Sequence, residues 1–314
     1  MRLAFHSSAR LWRISEYPEN IFRNERRKQK QHENMTTKLI ADSGSTKTDW
    51  CLMEQDGTTR QVQTKGLNPF QLTEADMEAE IKTALLPKLH TQEVAEVYFY
   101  GAGCTVEKQP LVEGVLRSCM TITGACEVAS DMLGAARAIC GRRPGIACIL
   151  GTGSNSCAFD GSQITKNVPP LGYILGDEGS GAVLGRTLLG DIMKHQLPQH
   201  IIDKFYEQYA LTNADIIERV YRQKTPNRFL ASFAPFLKDN IAEPRIEAIV
   251  KDGFRQFLRR NVRQYRDCNS LPIGFIGSIA LVFRAQLEAV MHEEKMNLGR
   301  IIQAPMDGLI EFHR

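Results

Sequence analysis

The chain has 314 residues, 43% of them hydrophobic and 24% charged, which is ordinary for a globular protein and long enough for about two domain cores. Its net charge of +3 is concentrated at one end: residues 1–34 carry eight basic and four acidic side chains, and the remainder carries 31 and 32. The bulk of the chain therefore lacks the basic character of a nucleic-acid binder, no apolar run approaches the ~20 residues of a membrane span, and eight scattered cysteines with no C-x-x-C spacing signal neither a disulfide framework nor a zinc site.

Residues 1–34 read as a polar, basic extension containing the run Arg23–Lys30 and no secretory apolar stretch. Glu16, Glu19 and Glu25 argue against a transit peptide, so Met35 is the expected start, and the extension is expected to be disordered or not native. From Lys38 the pattern predicts a strand, a turn of small residues (Asp42-Ser43-Gly44-Ser45-Thr46-Lys47-Thr48) and a second strand ending near Asp56-Gly57. Gly66–Phe70 is a loop, followed by an amphipathic helix over Ala75–Leu86 with Thr73 as its N-cap. Val94–Tyr100 is a buried strand closing on Gly101-Ala102-Gly103. Lys108–Ser118 is helical, Glu127–Ser130 is a short strand, and Asp131 opens a helix with Leu133, Ala136 and Ile139 on one face.

Gly141–Gly145 breaks the pattern and marks a lobe boundary. The expected division is residues 35–142 plus about 297–314 in one lobe and 143–296 in the other. The second lobe opens with the strand Ile146–Leu150, the turn Gly151-Thr152-Gly153-Ser154-Asn155 and a second strand ending near Asp160-Gly161. Then come Leu171–Gly176, the acidic turn Asp177-Glu178-Gly179-Ser180-Gly181 and a helix to about Lys194. Residues 199–266 are almost entirely helical in pattern, with Thr225-Pro226 as a cap and first-turn pair. Ile273–Ile276 is a buried strand ending in Gly277-Ser278, a helix follows over Leu281–Met291, and the tail Ile301–Arg314 can return to the first lobe.

The two Gly/Ser/Thr turns echo one another about a hundred residues apart. Glycine lets backbone approach an anion, consecutive N–H groups form an anion-binding concavity, and Lys47 adds a point charge. The spacing is not a Walker loop, since each turn leads into a strand. Either turn alone reads as an ordinary Gly-rich hairpin. The pair in register reads as two phosphate-gripping loops facing across a cleft. Apolar strands that end in Gly, Ser or Asp place Asp42–Thr48, Gly101–Gly103, Asp131, Gly151–Asn155 and Gly277–Ile279 around one crevice at the carboxyl ends of the strands.

These residues resemble the sugar kinase/actin superfamily of ATPases. Within it they are most similar to the BadF/BadG-type family with its N-acetylglucosamine kinase-like branch. The resemblance is carried by Asp42–Trp50, Ser130-Asp131-x-x-Gly134-Ala135-Ala136, Leu150–Asn155, Gly176-Asp177-Glu178-Gly179-Ser180 and Phe275–Ala280, from Lys38 to the C-terminus. It implies an α/β, two-lobed, ribonuclease H-like fold with an internally duplicated mixed sheet and a nucleotide cleft between the lobes. It further implies a cytoplasmic, ATP- and Mg2+-dependent kinase acting on a hydroxyl of a hexosamine, without nucleic-acid or membrane partners and compatible with a homodimer.

By the same resemblance, Asp42 sits near Mg2+ and its waters. Gly44, Ser45, Thr46 and Lys47, with Gly151, Thr152 and Gly153, contact the phosphates, and Gly277, Ser278 and Ile279 lie against the adenosine. Asp131 is the general base, and Asn68, Asn155 and Asp177 bind sugar hydroxyls. Each has a bland alternative: Asp131 as a helix N-cap, Asp177-Glu178 as first-turn acids, Asn68 as a turn residue before Pro69. The chain departs from vertebrate-type N-acetylglucosamine kinases at Leu171, where they carry Trp.

Two rival functions remain within the resemblance. One is an ATPase activator of 2-hydroxyacyl-CoA dehydratases or benzoyl-CoA reductases, with a bridging iron–sulfur cluster, against which Gly176–Ser180 weighs. The other is a non-catalytic sugar sensor, against which Asp42 and Asp131 together weigh. The arginines at 255, 259, 260, 263 and 266, interleaved with Phe254, Phe257, Leu258 and Val262, read as a solvated helix face.

Overall fold

The computed structural model describes residues 36–44 and 46–314, so the extension over residues 1–34, the expected start at Met35 and the turn residue Ser45 lie outside the described residues. Two five-stranded mixed sheets repeat one plan. In the first, β1 (Lys38–Ser43), β2 (Lys47–Met53) and β3 (Thr59–Lys65) form an antiparallel meander. A short parallel pair, β4 (Glu93–Val94) and β6 (Thr121–Ile122), stands apart from it. The first sheet is completed by β5 (Glu96–Gly101) and β7 (Cys126–Ser130), both parallel to β1, in the order β3-β2-β1-β5-β7. In the second, β8 (Gly145–Leu150), β9 (Ser154–Phe159) and β10 (Ile164–Val168) form the same meander, and β11 (Ile273–Ile276) and β12 (Leu298–Ile302) extend it in parallel. This is the two-lobed α/β fold with a duplicated mixed sheet that the family resemblance implies.

The sequence reading has no strand at β3 or β10. Both are edge strands, and in β3 only Val62 and Thr64 are buried, so the apolar alternation that marks a strand is nearly absent. The expected tail divides between the lobes: Leu298–Ile302 is an edge strand of the second sheet, and the helix after it lies on the first.

The first-lobe helices are α1 (Glu74–Glu80), α2 (Leu86–Leu89), α3 (Gln109–Cys119) and α4 (Asp131–Cys140). Those that follow are α5 (Gly172–Leu175), α6 (Gly181–Met193), α7 (Gln199–Tyr209), α8 (Asn213–Tyr221), α9 (Pro226–Ala231), α10 (Ala234–Asp239), α11 (Pro244–Arg260), α12 (Ser278–Val282), α13 (Arg284–Glu293) and α14 (Met306–His313). Thr73 caps α1 as expected, in a reciprocal box with Asp76. The single helix expected over Ala75–Leu86 instead widens into a π-turn at Ile81–Leu85 before α2, whose first turn contains Pro87. Proline has no N–H for the ladder and crowds the carbonyl four residues back, which the wider turn relieves. Thr225 precedes α9, but its side chain makes no capping bond.

The strands alternate their faces. In β1, Leu39 and Ala41 join a core with Trp50, Met77, Leu85, Val112 and Leu116, while Ile40 faces Tyr100, Met306, Leu309 and Ile310. Helix α4 lies between the lobes. Ala138 packs with the first sheet, and Met132, Ala135, Ala136 and Ile139 pack on Ala147, Cys157, Phe159 and Ile276 of the second. Small residues make the close fit: a Cβ on Gly134 would lie 2.8 Å from Tyr100 Cβ, and one on Gly308 would lie 2.4 Å from the Ala138 carbonyl oxygen.

Helix α14 is latched to the first sheet. The His313 ring stacks on Tyr98 at a centroid distance of 3.8 Å, and its Nε2 lies 2.7 Å from the Tyr100 hydroxyl. Arg137 Nη1 donates to that hydroxyl at 2.6 Å. Lys38 Nζ and Arg142 Nη2 donate to the His313 and Phe312 carbonyls at 2.6 and 3.1 Å. Burial first, then the charges of Arg137, Lys38 and Arg142, push the His313 imidazole down to about 3.

Candidate functional site

The first turn is tight and anchored. Gly44 N–H donates to the Lys47 carbonyl at 2.9 Å, and Gly66 N–H donates to the Thr46 carbonyl at 3.0 Å. Ser43 is buried, its Oγ accepting from Leu67 N–H at 3.0 Å and lying 2.8 Å from Thr48 Oγ1. Thr46 and Lys47 are exposed, and Lys47 Nζ lies 2.7 Å from Asp49 Oδ2.

The second turn is held from behind by the start of α6. Gly151 N–H closes the turn on the Gly153 carbonyl at 2.9 Å, while Gly181 N–H and Ala182 N–H donate to the Gly151 and Thr152 carbonyls at 2.8 and 3.1 Å. A Cβ on Gly153 would lie 2.9 Å from Asp177 Oδ2, so this position is small because a carboxylate stands against it. Asp177 adopts φ of 52° and donates its N–H to the Pro170 carbonyl at 2.9 Å. The N-cap of α6 is Ser180, whose Oγ accepts from Val183 N–H at 3.3 Å. Asp177 and Glu178 therefore precede the helix rather than forming its first turn. Glu178 is tied to α11 through Arg260 and through Asn261 Nδ2 at 3.2 Å.

Between the sheets lies a cleft of about 270 Å³. The first sheet and α4 supply Asp42, Gly44, Thr46, Lys47, Asp49 and Asp131; the second supplies Ile149, Ile276, Gly277 and, beyond β12, Gln303 and Pro305. Parallel pairing explains the convergence: Ser43, Gly101 and Ser130 end their strands side by side, and Ile276 and Ile302 end theirs beside Ile149, one residue before the end of β8. Gly277 crosses this edge with φ of 119°, and a Cβ there would lie 2.3 Å from the Leu150 carbonyl oxygen, which only glycine avoids.

The cleft thus joins Asp42, Gly44, Thr46, Lys47, Asp131 and Gly277 of the expected residues. Gly151, Thr152, Gly153, Asn68, Asn155, Asp177, Ser278 and Ile279 are not among its walls. Gly153 and Asp177 stand together at the second turn. Asn155 Oδ1 accepts from Ser156 N–H at 2.8 Å and Asn167 Nδ2 at 2.9 Å. Asn68 is buried, and its Oδ1 accepts from Phe70 N–H at 2.9 Å beside Gly103. Ile279 is buried in the second-lobe core, one residue inside α12 from Ser278.

Three of the expected site carboxyls are shifted upward. Asp42 is pushed up to about 7 by burial first, then by the charges of Asp49 and Asp131, with Lys47 opposing. Burial raises Asp131 against the hydrogen bond from Met132 N–H at 2.8 Å. Asp177 is raised to about 6, chiefly by burial, with Ser154 N–H holding it down and Glu178 raising it. Carboxyls raised in this way, as Asp42 and Asp131 are in the cleft, are suited to taking up a proton during reaction. The capping alternative for Asp131 fails, because Ser130 caps α4 by accepting from Leu133 N–H at 3.3 Å.

Asp49, Gln303 and Pro305 escape the sequence reading. Asp49 was legible, since residues i and i+2 of a strand share a face and Lys47 had been singled out. Gln303 and Pro305 depend on where the fifth strand of the second sheet ends, which nothing local states. The arginine stretch reads as a solvated face whose members find acids: Arg255 pairs with Glu293, Arg259 and Arg263 with Glu294, and Arg260 with Glu178, while Arg266 beyond α11 is almost fully exposed. Leu171, at the departure from the Trp pattern, is exposed with φ of 63°. Among the described residues no helix is long and apolar enough to cross a membrane, and no group of three or more His, Cys, Asp and Glu side chains could hold a metal unaided.

Comparison with known proteins finds the same architecture. A structure from Porphyromonas gingivalis named "Putative N-acetylglucosamine Kinase" is 49% identical, covers 88% of this chain and 98% of its own, and superposes with a TM-score of 0.83. One of the same name from Chromobacterium violaceum is 17% identical, covers 89% and 99%, and has a TM-score of 0.71, a likeness of fold alone. No family model and no curated protein matches the chain.

Proposed function

Because this chain belongs to the BadF-type, N-acetylglucosamine kinase-like branch of the sugar kinase/actin superfamily, we propose that it is an ATP-dependent kinase of an amino sugar, N-acetylglucosamine or a related hexosamine. The observation that carries this reading is the cleft itself: Asp131, at the first turn of the helix shared by both sheets, faces the Gly44–Lys47 turn and Gly277.

In this reading a sugar hydroxyl attacks the γ-phosphorus, its proton passes to the Asp131 carboxylate, and ADP leaves. Asp131 is raised by burial, which makes it a better proton acceptor as the oxygen bonds to phosphorus. Gly44, Thr46 and Lys47 take the phosphates from one side, with Ser45 assigned there by sequence. Gly151, Thr152 and Gly153 take them from the other, and Gly277, Ser278 and Ile279 receive the adenosine. Asn68, Asn155 and Asp177 bind sugar hydroxyls.

Mg2+ fits the donors present. It keeps several waters and arrives on phosphates, so it needs one or two carboxylates rather than a full protein cage, and Asp42 offers one at the cleft wall. Bound there, it would neutralise phosphate charge. The reading divides the chain into lobes at 35–142 with helix α14 and at 143–302, closing on the substrates to exclude water. It places the enzyme in the cytoplasm.

ADP release from Mg-ATP against N-acetylglucosamine, glucosamine, N-acetylmannosamine, N-acetylmuramic acid and glucose tests the proposal. Strong stimulation by one amino sugar, with a phosphorylated product by mass spectrometry, is the expected result. Slow ADP release that no sugar accelerates would overturn it in favour of an activator-type ATPase.

A further inference from the structure

Asp49 is placed with unusual care for a surface carboxylate. It pairs across the ladder with Asp42 on one side and with Gln63 on the other, so the three form one rung over β1, β2 and β3. Gln63 Nε2 donates to Asp49 Oδ1 at 2.6 Å, and Lys47 Nζ lies 2.7 Å from Asp49 Oδ2. One oxygen therefore fixes the carboxylate and the other holds the ammonium. Lys47 keeps 58% of its side chain exposed, and exposed ion pairs stabilise a fold little, so the arrangement is about position rather than stability.

The same pair lines the cleft. Asp42, Asp49 and Asp131 face it with Lys47 as their cation. A polyphosphate entering this space draws Lys47 toward itself, and the Asp49 charge is then left facing the anion beside Asp42.

We propose that Asp49 is a positioning and selectivity residue: it holds Lys47 over the cleft and makes the cleft reject polyphosphate that arrives without a divalent cation. The inference rests on the kinase reading for the identity of the polyphosphate, but it is about binding rather than turnover. A divalent cation on the phosphates cancels the repulsion, so metal-bound nucleotide is admitted and metal-free nucleotide is turned away.

The test is displacement of a fluorescent ATP analogue by ATP, in EDTA and in excess Mg2+, without sugar. Wild type is expected to bind ATP markedly more weakly in EDTA. Asp49→Asn should tighten metal-free binding about tenfold, the scale of one unit charge acting across several ångströms of surface dielectric, and change metal-bound binding less than about twofold. Asp49→Glu keeps the charge and should keep the rejection, which separates charge from altered packing. Metal-free binding that is unchanged or weaker in Asp49→Asn, with urea unfolding confirming a folded protein, overturns the proposal. Loss of rejection in Asp49→Glu as well would also overturn it. The measurement needs no sugar, so its outcome stands apart from that of the ADP-release assay.

Discussion

His313 gives the chain a specific weakness to acid. The Tyr100 hydroxyl accepts from Arg137 and lies 2.7 Å from His313 Nε2, in a buried setting beside three cations that favours the neutral imidazole. With the folded-state value lowered from 6.5 to about 3, the native protein binds fewer protons here than the unfolded chain does. The contribution is whole above pH 6.5 and is lost progressively as pH falls toward 3. At 1.36 kcal/mol per unit, the loss by pH 5 is about 2 kcal/mol, roughly thirtyfold in the folding equilibrium. Asp42 and Asp177, both raised, act in the opposite sense, favouring the folded state at low pH and losing that contribution as pH rises through about 7 and about 6. A His313→Gln variant retains both, so the difference between the two proteins isolates the imidazole. Urea unfolding of wild type and variant at pH 8, 6.5 and 5 should show a gap that shifts by about 2 kcal/mol in the variant's favour on acidification. Loss of the Tyr98 stacking contributes an offset that does not vary with pH. Parallel curves for the two proteins would refute the buried neutral histidine.

Asp131→Asn should keep nucleotide affinity, measured by calorimetry, while sugar-dependent kcat falls roughly 10²–10⁴-fold, the range of a lost general base. Gly277→Ala forces a side chain into positive φ and onto the Leu150 carbonyl, so it should lower stability by about 2–4 kcal/mol, visible as a lower urea midpoint. Gly153→Ala displaces the Asp177 carboxylate and should raise the sugar KM about tenfold, the scale of one charged hydrogen bond, with ATP binding measured separately as the control.

The strands most plainly legible in the sequence were those buried on both faces, although the edge strand β7 was also read. Ile146–Leu150 and Ile273–Ile276 are runs of apolar residues, and covered strands must be. β3 could not be read, because an edge strand with one wet face is polar over most of its length. The widened turn at Ile81–Leu85 had its cause, Pro87, in the sequence, but the apolar spacing around it read as one regular helix. At the site, turn chemistry identified Gly44 and Gly277, and of the two only Gly277 has a backbone that demands glycine. The division of labour between Ser130 and Asp131 could not be read, since both are good caps and only the direction of the Leu133 N–H separates them. Gln303 is a product of topology: it joins the cleft because β12 runs parallel to β11, seen only once the sheet is assembled.

Helix α4, from the first half of the chain, roofs the second sheet with Met132, Ala135, Ala136 and Ile139, while α14, the last helix of the chain, closes the first sheet with Met306, Leu309 and Ile310. The halves have in effect traded a helix each. Cut at the lobe boundary, either fragment would expose an apolar sheet face that its own sequence has nothing left to cover, and the resemblance between the repeats conceals a mutual dependence. Such a chain is expected to melt as one unit rather than lobe by lobe, and the first lobe cannot be finished until residues 306–313 have joined it.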